Sequence, residues 1–100
     1  MDISQMMGQV QAMKQELERE QQAFQQKTYH VTSANELVKV EVTGAKEIKS
    51  IQIKEDILAP DDKEMIEDLI VTTINDAMKM IDEDFAQIMG KYTQGLNLPF

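Results

Sequence analysis

Apolar residues recur near the start of the chain in alternating steps of three and four: Ile3, Met6, Val10, Met13, Leu17 and Phe24. Glu20 is the one polar residue in the seam. This spacing puts one narrow stripe on a helix, in the manner of a coiled-coil seam. Gln, Glu, Met and Ala dominate the segment, Gly8 is its only glycine, and it has no proline. The pattern predicts a helix over about residues 3–26. A stripe this narrow cannot hold a helix in water by itself, so it needs a partner along its length.

From residue 28 the period changes from helical to alternating. Tyr29 and Val31 share a face in "TYHVTS", and "ANE" supplies a turn in which Asn35 tolerates a left-handed backbone. Val38, Val40 and Val42 then share a face, with Leu37, Lys39, Glu41 and Thr43 on the other. "TGAK" makes the next turn, with Gly44 expected at positive φ. In the third run Ile51 and Ile53 align with Lys49 rather than with Ile48, so the phase slips. That slip predicts a bulge near Lys49–Ser50. Two short connections predict an antiparallel three-stranded meander over about residues 28–54, with one apolar face that must be covered.

"APDDKE" opens a second helix, expected over about residues 62–89. Asp61 and Glu64 have capping-box spacing, and acids in the first turn suit the helix dipole. Met65, Ile66, Leu69, Ile70, Ile74, Ala77, Met78, Ile81, Phe85 and Ile88 form a continuous stripe. Gly90 is the expected stop, and residues 90–100 are expected to form a flexible tail. The fold class is therefore α+β, a single domain over residues 1–100. Its order is α-β-β-β-α, with a three-stranded antiparallel sheet packed on long helices in two layers. At 1.5 Å per residue the helices reach about 36 and 42 Å. Strands of about 20 Å cannot cover them. Exposed stripes of that length predict a homodimer with helices projecting from a shared core.

The net charge of −8 sits almost entirely in the C-terminal part. Residues 1–27 carry three bases and four acids, residues 28–54 four bases and three acids, and residues 55–100 three bases and eleven acids. Such a balance opposes indiscriminate nucleic-acid binding. Without cysteine there is no disulfide framework and no thiolate metal site. His30 is the only histidine and lies in a strand pattern, and no phosphate-binding loop or nucleophile motif is present. In "DED" (82–84), consecutive helix residues point apart and cannot converge on one cation. The chain is expected to be no enzyme and to need no cofactor. It has neither an 18-residue apolar run nor a signal-type N-terminus, which points to a cytoplasmic protein without a membrane partner.

Taken in order, these segments resemble the YbaB/EbfC family of bacterial nucleoid-associated proteins. "ELVKVEVTGAKEIKSIQI" resembles the family hairpin, "DKEMIEDLIVTTINDAMKMID" (62–82) its signature helix, and "MGKYTQGLNLPF" (89–100) its closing pattern. The resemblance implies a dimer with protruding helices that binds double-stranded DNA with little sequence preference, as part of the nucleoid. Carried over by position, it points to Lys14, Arg19, Lys27 and Lys91 as the DNA-binding residues. The first helix, "QVQAMKQELEREQQAFQQK", holds few lysines for the family, which predicts weak binding. The alternative is a dimeric module that takes another protein along the Met-rich seam from Ile3 to Phe24.

Overall fold

The computed structural model describes residues 2–96, with side chains described through residue 91. Helix α1 spans Ile3–Gln26, strands β1, β2 and β3 span Thr28–Thr32, Val38–Thr43 and Ile48–Ile53, and helix α2 spans Lys63–Leu96. The α-β-β-β-α order and the antiparallel sheet, in the order β1-β2-β3, match the hydrophobic pattern.

Asp2 caps α1, its carboxylate accepting the Ser4 amide at 3.3 Å. The helix ends where Lys27 turns extended and donates its amide to the Phe24 carbonyl. Ser33 closes the β1–β2 connection. Its amide donates to the Val38 carbonyl at 2.8 Å, and its hydroxyl accepts the Val38 amide at 2.9 Å. Asn35 is left-handed there at φ 59°, and Glu36 follows at φ 56°.

The register places Val38 opposite Ile53, Val40 opposite Ile51 and Val42 opposite Ile48. Glu41 pairs with Ser50, so Lys49 is the extra residue between two successive pairs. This is the bulge expected from the phase slip. Its effect is to bring Ile48 onto the same face as Ile51 and Ile53. Helix α2 packs across β1 and β2, burying Tyr29, Val31 and the three valines against Thr73, Ala77 and Ile81. The face of β3 is left largely uncovered: Ile48 stays 45% exposed and Ile51 41%.

Three expectations need correction. The second helix does not stop at Gly90 but continues to Leu96, 34 residues or about 51 Å. An interior glycine costs only about 1 kcal/mol relative to alanine. Lys91 to Gln94 include no helix breaker. The expected tail is therefore helical through residue 96, and residues 97–100 lie outside the described residues. The capping box does not form either. Pro60–Asp62 make a 3₁₀ turn without a side-chain cap, and α2 starts only at Lys63. Finally, positive φ in the β2–β3 turn falls on Lys46 at 66°, and no described glycine adopts it.

The molecule measures 71 × 23 × 15 Å with a radius of gyration of 19.7 Å. A compact chain of this length would be near 13 Å. The longest dimension exceeds α2 alone, so α1 adds to it. Most of α1 is exposed, Phe24 being its one buried residue.

Candidate nucleic-acid interface

A DNA-binding surface needs bases that are free of acidic partners and presented together. Lys14 and Arg19 stand exposed on α1, and neither makes an ion pair with a described residue. They are five residues apart, which turns them about 140° from each other on an α-helix. Glu16, Glu18 and Glu20 lie around them. Lys91 is exposed near the far end of α2.

Lys27 occupies a different place, at the joint where α1 meets the body. Its Nζ lies 3.1 Å from Asp84 Oδ2 and 5.0 Å from the centre of the Tyr29 ring. The Tyr29 hydroxyl donates to the same carboxylate oxygen. Hydrogen bonding from Tyr29, and then from Lys27, holds the Asp84 carboxyl below its usual range. Burial, together with Asp84, pushes the Tyr29 phenol well above its ordinary value. The Lys27 charge is thus matched within the fold, and its evident work is to tie the end of α1 to α2.

The same joint is fastened twice more. Lys46, on the β2–β3 turn, pairs with Asp82 at 2.8 Å. Phe24 contacts Phe85 with ring centres 5.3 Å apart and meets Tyr29 edge-on at 6.2 Å. A cleft of about 380 Å³ opens between these contacts, lined by Gln21, Phe24, Gly44, Lys46, Asp82 and Phe85. Both acids of "DED" that face a partner serve as anchors for lysines. Among the described residues, no group of three or more His, Cys, Asp or Glu side chains could hold a metal ion. No helix among them is long and apolar enough to cross a membrane.

Of the bases outside the four expected from sequence, two line one cleft on the sheet. On the polar face of the sheet, Lys39 stands between Thr32 of β1 and Gln52 of β3. The Lys54 amide donates to the Leu37 carbonyl at 2.9 Å, so the strand alternation carries on and returns Lys54 to the face of Gln52. Lys39, Gln52 and Lys54 line one cleft of about 210 Å³. The signal in the sequence was the parity of Ser50, Gln52 and Lys54, opposite to that of the isoleucines. Glu41 shares this face two residues from Lys39 and sits across from His30, 3.5 Å from its Nδ1.

The family model described as the YbaB/EbfC DNA-binding family matches residues 1–96. The chain belongs to the YbaB/EbfC family. A nucleoid-associated protein of Clostridium novyi is 40% identical over 99% of this chain and 87% of its own length. Another from Desulforamulus reducens is 42% identical over 98% of this chain and 93% of its own. A crystal structure of an uncharacterized protein from Helicobacter pylori superposes with a TM-score of 0.74 at 25% identity. It covers 92% of this chain and 97% of that one. In this YbaB/EbfC chain, the four positions expected to touch DNA are spread along both helices and the joint between them. Lys14 and Lys27 alone are about 20 Å apart along α1.

Proposed function

We propose that this chain acts as a homodimeric, nucleoid-associated protein that binds double-stranded DNA weakly, through phosphates and with little sequence preference, and catalyses no reaction. Membership of a DNA-binding family over residues 1–96 carries this reading. The dimer is supported by the apolar face that one protomer leaves open at Ile48 and Ile51, and by a further exposed apolar residue, Leu58. A second protomer laid on that face would give two projecting α1 helices able to straddle a duplex. Lys14 and Arg19 are the bases on those helices, with Lys91 from the end of α2. Lys27 contributes at the joint if it leaves Asp84. Contacts of this kind neutralise phosphates and carry no sequence information. The nucleoid, within the cytoplasm, is the corresponding location.

The test is duplex binding at low and rising salt. Affinity should fall steeply with salt, and Lys14→Ala with Arg19→Ala should weaken binding alike on unrelated sequences. A purified dimer that binds no duplex at low salt, or whose binding ignores salt, would defeat the reading.

The α1 seam favours a second reading, a module that takes another protein. Ile3 is 73% exposed and Val10 65%. A partner retained after nuclease treatment, and lost with Met6→Glu and Val10→Glu, would carry it. Loss of every partner on nuclease treatment would argue for DNA.

A further inference from the structure

The polar face of the sheet holds a cluster that the helix-based reading does not use. Lys39 and Lys54 are diagonal neighbours across β2 and β3, a relation that sets their backbone positions about 7–8 Å apart. Both are exposed, and neither makes an ion pair with any described residue. Gln52 lies between them, directly opposite Lys39, and Thr32 flanks Lys39 on the other side. Lys39, Gln52 and Lys54 converge on the cleft of about 210 Å³, in which Glu36 is the only acid and pairs with neither lysine. Both lysines line this cleft, so an anion seated in it could be met by two ammonium groups at once. The amide of Gln52 adds a neutral donor in the cleft, and the hydroxyl of Thr32 another on the β1 side of Lys39. Glu41, the nearest acid along β2 on this face, is engaged with His30.

On α1, by contrast, Lys14 and Arg19 diverge among three glutamates. The lysines of the sheet therefore form the better-presented cationic pair. We propose that this end of the polar sheet face is a second phosphate-contact surface for duplex DNA, separate from the helices, with Lys39 and Lys54 as its charges and Gln52 and Thr32 as neutral donors. The inference rests on the DNA-binding reading above and extends it to a surface that reading leaves out. Lysine ammoniums act here as point charges on the backbone, so the contact adds affinity without reading bases.

The test measures affinity for one short duplex across a salt series, using the full chain and three variants: Lys39→Gln with Lys54→Gln, Lys14→Ala with Arg19→Ala, and Lys63→Gln as a control that removes one helix lysine. Lys63 is an exposed helix residue paired with Glu67. Lys39 and Lys54 are exposed, so the sheet variant should melt as the parent does. Expected is weaker binding by the sheet variant, with the slope of log affinity against log salt shallower by about 2 for each protomer whose sheet face contacts the duplex, and little change for the control. A sheet variant with parental affinity and slope, beside a weakened helix variant, would overturn the inference and leave DNA binding by the helices standing. An equal loss in the Lys63→Gln control would overturn it as a general charge effect. If the parent chain itself fails to bind duplex, the functional reading falls, and this inference falls with it.

Discussion

Gly44 abuts the backbone of Phe24 so closely that a Cβ at position 44 would lie 1.9 Å from the Phe24 carbonyl oxygen. The contact brings the β2–β3 turn onto the last turn of α1, where the Gly44 amide donates to the Lys27 carbonyl at 3.0 Å. The obstacle is backbone, which cannot swing aside as a side-chain tip would. Gly44→Ala must therefore push the turn off α1 and stretch that hydrogen bond. Overpacking of this kind costs about 1–3 kcal/mol. Urea unfolding should show a lower midpoint. An unchanged midpoint would mean that the turn is not pressed on the helix.

Tyr29, Asp84 and Lys27 make the joint sensitive to pH at both ends of the range. Asp84 is held below the usual carboxylate value, so its contribution is present above about pH 4 and is lost as pH falls through its lowered folded value. Tyr29 is pushed up, so its contribution is complete below about pH 10 and fades as pH climbs from there toward the raised folded value. Tyr29→Phe removes the alkaline loss due to this group and shrinks the acid loss, because its hydrogen bond is the main cause of the Asp84 shift. Melting curves of parent and variant across pH should converge at the extremes and separate most near neutrality. A constant gap at all pH values would remove the hydroxyl from the account.

Phe24 and Met6 belong to one seam in the sequence but not in the fold. Phe24 is buried against Tyr29 and Phe85, whereas Met6 stands 51% exposed. Phe24→Ala should cost about 3–5 kcal/mol, as aromatic truncations in a core do. Met6→Ala should stay within about 0.5 kcal/mol. Comparing the two by denaturant unfolding tests whether α1 is anchored only at its last turn.

Much of this architecture is legible in the sequence because period and spacing are local. The seam of α1, the alternating valines and the slip at Lys49 each report the backbone directly. The end of α2 was not legible in this way. Gly90 resembles a stop, yet no residue through Gln94 forbids the helix, and its small penalty is outweighed. The place of positive φ was also hidden. Gly44 is needed for its close approach to Phe24, a contact between residues twenty apart that no turn rule encodes. The candidate interface was the least legible part. The resemblance pointed to Lys27 as a DNA contact and gave Lys39 and Lys54 no role. Only the register and the packing of α2 reveal that Glu41 faces His30 and that Lys27 faces Asp84.

Ile51 offers the sharpest test of the proposed assembly. It lies opposite Val40 on the apolar face, yet it remains 41% exposed in a single protomer. A charge placed there therefore costs the isolated protomer little. Buried between two protomers it would be an unpaired carboxylate, which the interface could not tolerate. Ile51→Asp should keep the circular-dichroism spectrum of the parent while its sedimentation mass falls from dimer to monomer. Separating the protomers also halves the number of phosphates one complex can neutralise. The salt slope of duplex binding should then fall to about half the parental value. A variant that keeps the dimer mass would place the subunit interface away from β3.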